Sequence, residues 1–291
     1  MSSSASTVPP ELKPLGGTPP LGRYLRDVWE RRQFAWASAV GELRSQHMDT
    51  TLGNVWHLLN PILLISVYYL VFGVILQGTV DRGVGDAFIV FLAIGVLSYQ
   101  WGQRSITAAA RSITGNEGLI RSLQFPRALL PIGTILKETL SHLPGVALMM
   151  IVALVYGEGV TSQWALILPI FVLQVTFNLG AGLLLARFAD KFRDTINLLP
   201  FVFRLGFYGS GVIFLVDQRF WAFFEDYPWT TWVFVANPFY AQLSLWREAL
   251  MTSLEIQNVG WLWVSACAWA VGTLVVGIIV FRAGEKEYGR G

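Results

Sequence analysis

Apolar positions in this chain gather into six long stretches, at approximately 55–76, 86–103, 138–156, 164–186, 196–216 and 259–281, with polar residues largely between them. Each holds about 18–23 residues, and a helix rising about 1.5 Å per residue needs about 20 to cross a hydrocarbon core about 30 Å thick. The pattern predicts an all-α integral membrane protein with six transmembrane helices. The charges then orient it. Arg104, Arg111, Arg121, Arg127 and Lys137 fill one connection, and Arg187, Lys191 and Arg193 another. Arg282, Lys286 and Arg290 end the chain, and Lys13, Arg23, Arg26, Arg31, Arg32 and Arg44 precede the first stretch. The alternate connections hold Arg82, Arg219 and Arg247 beside Asp217, Glu225, Asp226, Glu248 and Glu255. Because Lys and Arg collect on the cytoplasmic side, the expectation is a multi-pass plasma (inner) membrane protein with both termini in the cytoplasm.

Residues 1–21, rich in Ser and Pro, predict a flexible cytosolic tail with no cleavable signal peptide, and 282–291 a second cytosolic tail. Over 22–47, Leu25, Val28, Trp29, Trp36, Val40 and Leu43 recur at near-helical spacing, with Arg23, Arg26, Glu30, Arg31 and Glu42 opposite. This is the signature of an amphipathic helix at the membrane surface; packing on the protein's own cytosolic face would leave the same pattern. Residues 48–281 form the transmembrane domain. Its first span opens with His57, Asn60 and Pro61, polar groups and a helix-weakening proline where lipid offers no partners.

After the second span an echo, Arg104-Ser-Ile-Thr and Arg111-Ser-Ile-Thr, places two arginines two helical turns apart on nearly one face. They serve a lipid headgroup, a pyrophosphate or a partner, or they snorkel to the interface. The segment 112–128 breaks at Gly115-Asn116, resumes as Glu117-Gly-Leu-Ile-Arg-Ser-Leu and breaks again at Phe125-Pro126-Arg127, which predicts a short capped helix between two turns. The segment 217–250 is too aromatic for a solvated loop, and Pro228 and Asn237-Pro238 interrupt it, so two short outer re-entrant helices are expected.

Composition narrows the function. The chain is 54% hydrophobic and 14% charged, and its net charge of +2 is dispersed by topology, which gives no nucleic-acid surface. Cys267 is the only cysteine, so no intramolecular disulfide forms. No Gly-Lys pair exists, so the chain has no Walker loop for ATP phosphates. The three histidines are scattered without the spacing of a zinc site, and no Ser/His/Asp arrangement stands out. Glu138 and His142 share a face of the third span, either as a packed polar pair or as groups that exchange a proton.

Three motifs in order carry a family resemblance. Leu52-Gly53 with Trp56-His57-Leu58-Leu59-Asn60-Pro61 resembles the first-span entry of type-2 ABC exporter permeases. Asn116, Glu117, Leu119, Ile120 and Arg121, followed by Phe125, Pro126 and Arg127, resemble their cytosolic coupling segment. Asn237-Pro238-Phe239-Tyr240 with Trp246-Arg247 resembles their outer re-entrant region. The match covers about residues 22–281 and runs most closely to exporters of lipid-linked polysaccharide: O-antigen, teichoic acid and, nearest, mycobacterial galactan. The resemblance implies a homodimer joined to two copies of a separate ATPase. That partner would hold ATP and Mg, leaving this chain without a cofactor or metal and without catalytic residues.

For a glycan pathway the residues offer aromatic faces. Tyr68 and Phe72 lie four apart on the first span, about in line with His57 and Asn60. Tyr99 and Trp101 end the second span, and Phe201, Arg204 and Tyr208 share a face of the fifth. Ordinary interface anchoring gives tyrosine and tryptophan similar positions. Arg204 lies about 12 Å into its span, where an unpaired cation costs about 2.5–3.5 kcal/mol, so a polar cavity, a partner's carbonyls, a pyrophosphate or snorkelling must compensate it. Three rival functions remain: a drug- or lipid-exporting permease of the same fold, a membrane-embedded transferase, and a passive channel.

Overall fold

The computed structural model describes residues 20–46, 53–75, 87–216, 226–227, 229–285, 287 and 288, with the backbone alone at 54 and 57. The expectations for the N-terminal tail up to 19, for Leu52, for the His57 side chain and for 217–225 lie outside these residues. Regular structure among the described residues is helical throughout.

The amphipathic segment forms two helices, α1 (Leu21–Glu30) and α2 (Arg32–Ser45), which meet at Arg31, where φ is −99° and ψ 15°. Packing against the protein takes one face of it. Tyr24, Ala35 and Ala39 are buried against the protein, while Leu25, Trp29 and Trp36 stay exposed. Small residues let α2 lie close along the third long helix, and the rings remain available to an interface.

Next come a 3-10 turn at Gly53–Val55, α3 (Trp56–Tyr68) and a π-helical continuation at Tyr69–Ile75. Then follow α4 (Phe88–Arg111), the short α5 (Glu117–Ser122), α6 (Leu129–Val155), α7 (Ile167–Lys191) and α8 (Thr195–Gly209). Two short helices, α9 (Thr230–Val235) and α10 (Pro238–Leu250), precede α11 (Val259–Ala283). Four stretches among the described residues are long and apolar enough to cross a membrane: Leu58–Ile75, Leu129–Val155, Ser162–Lys191 and Val259–Ala283. The other two expected spans have different character. Helix α4 is buried on every side through Val90–Val96 and turns polar at Gln100, Gln103 and Arg104. With 15 residues, α8 reaches only about 22 Å.

Two boundaries move for one reason: charges expected in loops are paired within helices. Helix α6 begins at Leu129 rather than 138 because Lys137 lies 3.1 Å from Glu138 and 3.9 Å from Glu42 on α2. Helix α7 runs on to Lys191 because Arg187 pairs with Asp190 at 3.3 Å and with Glu287. Part of the C-terminal segment is likewise docked against the bundle. Tyr288 is buried, donates its hydroxyl to the Phe281 carbonyl at 2.9 Å and packs its ring 4.7 Å from that of Phe281.

Helix α4 is the axis of the bundle, packed between α6 and α7, while α11 runs along α7. There a methyl on Gly277 would sit 2.5 Å from the Gly180 carbonyl oxygen, so the two backbones touch and only glycine fits. Helix α10 starts as Asn237-Pro238 predicts: the Asn237 side chain accepts the Phe239 N–H at 3.0 Å, and proline takes the first helical position. It differs from an interfacial helix in burial, because nearly every residue from Tyr240 to Leu250 is enclosed against α4 and α11.

Arg247 explains that insertion. Assigned by sequence to an outer connection, it is 2% exposed. Its guanidinium donates to the carbonyls of Gly211 and Val212, each at 2.9 Å, and of Phe91 at 3.3 Å, and lies 3.3 Å from the Phe91 ring centroid. Glycine at 95 makes room, since a methyl there would stand 2.6 Å from the guanidinium. On the same side Glu158 ties two connections together, accepting the Thr252 N–H at 2.6 Å, its hydroxyl at 2.7 Å, the Ser253 N–H at 3.1 Å and the Ser253 hydroxyl. Burial pushes its carboxyl up, but the hydrogen bonds from Ser253 and Thr252 outweigh it and hold the group below its ordinary value.

Arg247→Ala leaves three carbonyls without their donor in an apolar interior and should destabilise the protein by about 3 kcal/mol. A lower unfolding temperature of the detergent-purified protein measures this; an unchanged one refutes the role. For Glu158 the depressed pKa places its stabilisation above the unfolded value of about 4.3, to be lost as pH falls through the folded value. Amide protection factors at Thr252 and Ser253 should therefore be high at neutral pH and be lost as pH falls through the depressed folded value. Glu158→Gln should already lack them at neutral pH.

Candidate functional site

Two features adjoin across α3 and α4: an aromatic row and a basic cavity. The row begins on the first span. The Tyr68 ring stacks on Phe72 with centroids 6.2 Å apart and on Phe207 of α8 at 5.4 Å, and Phe207 meets Tyr208 edge-on at 5.5 Å. Tyr68, Phe72 and Tyr208 are thus brought into one line, with Phe207 as the link the sequence reading missed. Its signal was present, four residues beyond Phe203 on the buried face of an otherwise exposed helix.

Tyr99 stands behind the row rather than in it. It is 1% exposed, meets Phe207 edge-on at 5.4 Å and donates its hydroxyl to the Phe203 carbonyl at 2.6 Å. Trp101 is equally enclosed, stacked on His142 at 4.9 Å and tilted against Phe171 at 4.9 Å. Both are packing residues in this conformation, because α4 is the bundle's axis. The opposite face of α8 is open: Phe201 is 59% and Tyr208 51% exposed, Arg204 lies between them, and Leu198 and Leu205 flank them. One turn of helix separates Phe201 from Arg204, which accounts for their shared face.

The cavity, of about 530 Å³, is walled by α3, α4 and α6. Arg104 and Arg111 both reach it, as their spacing predicts, together with Trp56, Asn60, Gln103, Glu138 and His142. Arg104 donates to the Gln100 side-chain carbonyl at 3.1 Å. Glu138 and His142 share this wall without pairing with each other: the carboxylate takes Lys137, and the imidazole is held flat against Trp101. The His142 Nε2 is buried with no hydrogen-bond partner among the described residues.

The short helix after α4 forms where expected, with a different attachment. Asn116 does not cap it; its side-chain amide donates back to the Ser112 carbonyl at 2.8 Å. Glu117 instead meets Arg193 at 2.9 Å and Arg121 at 3.6 Å, tying α5 to the end of α7. Ile120 turns inward, into a cluster with Tyr24, Ile113, Leu130 and Phe281, and Leu119 and Phe125 pack against that cluster. The outward apolar residue is Leu123, 52% exposed, beside exposed Arg121 and Ser122. The Phe125-Pro126-Arg127 corner is fastened by Glu285, which accepts the Arg127 N–H at 2.8 Å and the Tyr24 hydroxyl at 2.9 Å. Burial raises the Glu285 carboxyl above its ordinary value. Helix α1, the Phe125-Pro126-Arg127 corner and the end of α11 are therefore joined through one side chain.

No family model matches the chain. Individual proteins do. The O-antigen export system permease protein RfbA of Klebsiella pneumoniae is 24% identical over 246 residues, which covers 83% of this chain and 88% of the relative. RfbA of Myxococcus xanthus is 25% identical over 192 residues, covering 66% and 72%. The polysialic acid transport protein KpsM of Escherichia coli is 24% identical over 254 residues, covering 84% and 91%. The chain is a homologue of polysaccharide-export permeases. The resemblance read from the three motifs is borne out at that level, and the relatives are transport subunits rather than enzymes.

Proposed function

We propose that the chain is the membrane permease subunit of an ATP-binding-cassette exporter that moves a lipid-linked polysaccharide from the cytoplasm across the plasma membrane. The observation that carries this reading is similarity to O-antigen and polysialic acid permeases over most of the chain, coupled with a short helix presented between the ends of α4 and α7. In this reading α4 and α8 complete six spans with the four apolar stretches, both termini face the cytoplasm, and α9 and α10 lie toward the outside. The cargo is a cell-envelope glycan, galactan among the candidates.

Two copies of the chain and two of a separate ATPase make up the working unit. The exposed face of α8, with Arg204 among Leu198, Phe201 and Leu205, suits a two-fold partner better than lipid, because a cation in hydrocarbon lacks compensation. Enclosed between two subunits, the aromatic rows would offer sugar rings flat, low-charge faces along which a polymer slides without tight binding. The ATPase contacts the outward side of α5, and its closure on ATP is passed through the Glu285 junction to α1 and α11. Drug or small-lipid export by the same fold is the alternative, and transport of labelled glycan separates the two.

Leu123→Asp should abolish co-purification with the ATPase while leaving membrane insertion intact, because the side chain is 52% exposed among the described residues. Ile120→Asp should instead disrupt the subunit itself, since it buries a charge. An intact complex with unchanged ATP turnover in Leu123→Asp would refute the docking assignment. For the pathway, Arg204→Ala should abolish export of lipid-linked glycan, and Arg204→Lys should lower it clearly, because lysine lacks the planar fork that binds phosphate or carbonyl oxygens in pairs. Wild-type export by Arg204→Ala at matched protein levels would reduce Arg204 to an anchor.

A further inference from the structure

We propose that the cavity between α3, α4 and α6 is a binding site for the phosphate or diphosphate group of a lipid, separate from the α8 face. Four observations converge on it. Arg104 and Arg111 stand two turns apart on one helix and project into the same space. Among the described residues neither is paired with a carboxylate. The acidic residue in the wall, Glu138, is neutralised by Lys137 at 3.1 Å, so the space keeps the positive charge of both guanidinium groups. His142 adds a buried Nε2, unpartnered among the described residues, on a ring fixed by Trp101.

Two like charges directed into one walled space repel each other, and a shared anion is the compensation that guanidinium geometry suits best. Snorkelling alone explains exposed arginines but not a polar chamber built around them. At about 530 Å³ the chamber is far larger than one phosphate and falls within the usual range for small-molecule sites. It has room for a diphosphate and the first groups attached to it. Trp56 and Asn60, at the start of the first span, form the wall where an attached chain would leave for the bilayer. The inference uses the exporter reading only to place this end of the bundle at the cytoplasmic leaflet, where phosphate headgroups lie; the site itself stands on the residues.

Equilibrium binding of radiolabelled farnesyl diphosphate to the full-length protein in detergent tests it without transport. Saturable binding is expected, resistant to competition by farnesol. Arg104→Ala and Arg111→Ala should each weaken it about tenfold, as for loss of a charge-assisted pair of hydrogen bonds. Glu138→Gln should strengthen it, because it removes the negative charge from the wall of the cavity. Competition then identifies the source of the phosphate. Displacement by inorganic pyrophosphate at equal concentration marks a site for the anion alone, and displacement by short-chain phosphatidic acid but not pyrophosphate marks a headgroup site. If the alanine variants do not fold, Arg104→Lys with Arg111→Lys carries the test, with binding at least ~3-fold weaker expected. Undiminished binding in the arginine variants, or equal competition by farnesol, overturns the proposal. Glycan export by a variant that has lost binding overturns a role for the cavity in loading and leaves the exporter reading standing, whereas a protein that binds but exports nothing counts against that reading alone.

Discussion

The buried guanidinium of Arg247 is the interaction on which the α10 end of the bundle depends. A cation with no carboxylate beside it is expensive in an apolar interior, and here the compensation comes from backbone. The carbonyls of Gly211 and Val212 belong to the irregular segment that ends α8, and the Phe91 carbonyl to the buried first half of α4. Non-helical backbone at such depth is itself tolerated only where its polar groups find partners within the protein. Each problem solves the other: the broken chain supplies acceptors to the cation, and the cation supplies donors to the broken chain. Helix α10 is thereby drawn into the bundle, and the end of α8 is held against α4.

The opposite end of the bundle is organised on another principle, a set of exposed and half-buried ion pairs around the half-buried Glu285 carboxylate. Glu285 joins α1 to the corner after α5, Arg187 joins α7 to the C-terminal segment, and Glu117 joins α5 to the end of α7. Pairs of this kind contribute little stability each at a surface. As a network they fix the orientation of a six-residue helix too short to persist alone. Helix α5 is thereby tied to α7 directly and, through the corner that follows it, to α1 and α11.

The basic cavity and the aromatic row both draw on α3. Asn60 faces the first and Tyr68 the second, eight residues on. Pro61 removes a backbone donor between them, so the helix that contributes to both features is also one that can bend there.

Much was legible in the residues alone. Long apolar stretches and alternating Lys/Arg determined a helical membrane protein, because a segment in lipid must satisfy its backbone internally and charges do not cross readily. The seven-residue arginine echo, the breaks around Glu117–Ser122 and the Asn237-Pro238 start of α10 are local signals, and they appear where the sequence places them. Tertiary structure alone decided what depends on partners distant in the chain. It placed Tyr99 and Trp101 inside the packing, turned Ile120 inward and left Leu123 outside, because helix periodicity names a face but not the neighbour that covers it. It also carried Lys137 and Arg187 into helices and Arg247 into the core, since a charge reads as a loop or surface residue until the Glu138, Glu287 or backbone carbonyl that satisfies it is brought alongside by the fold.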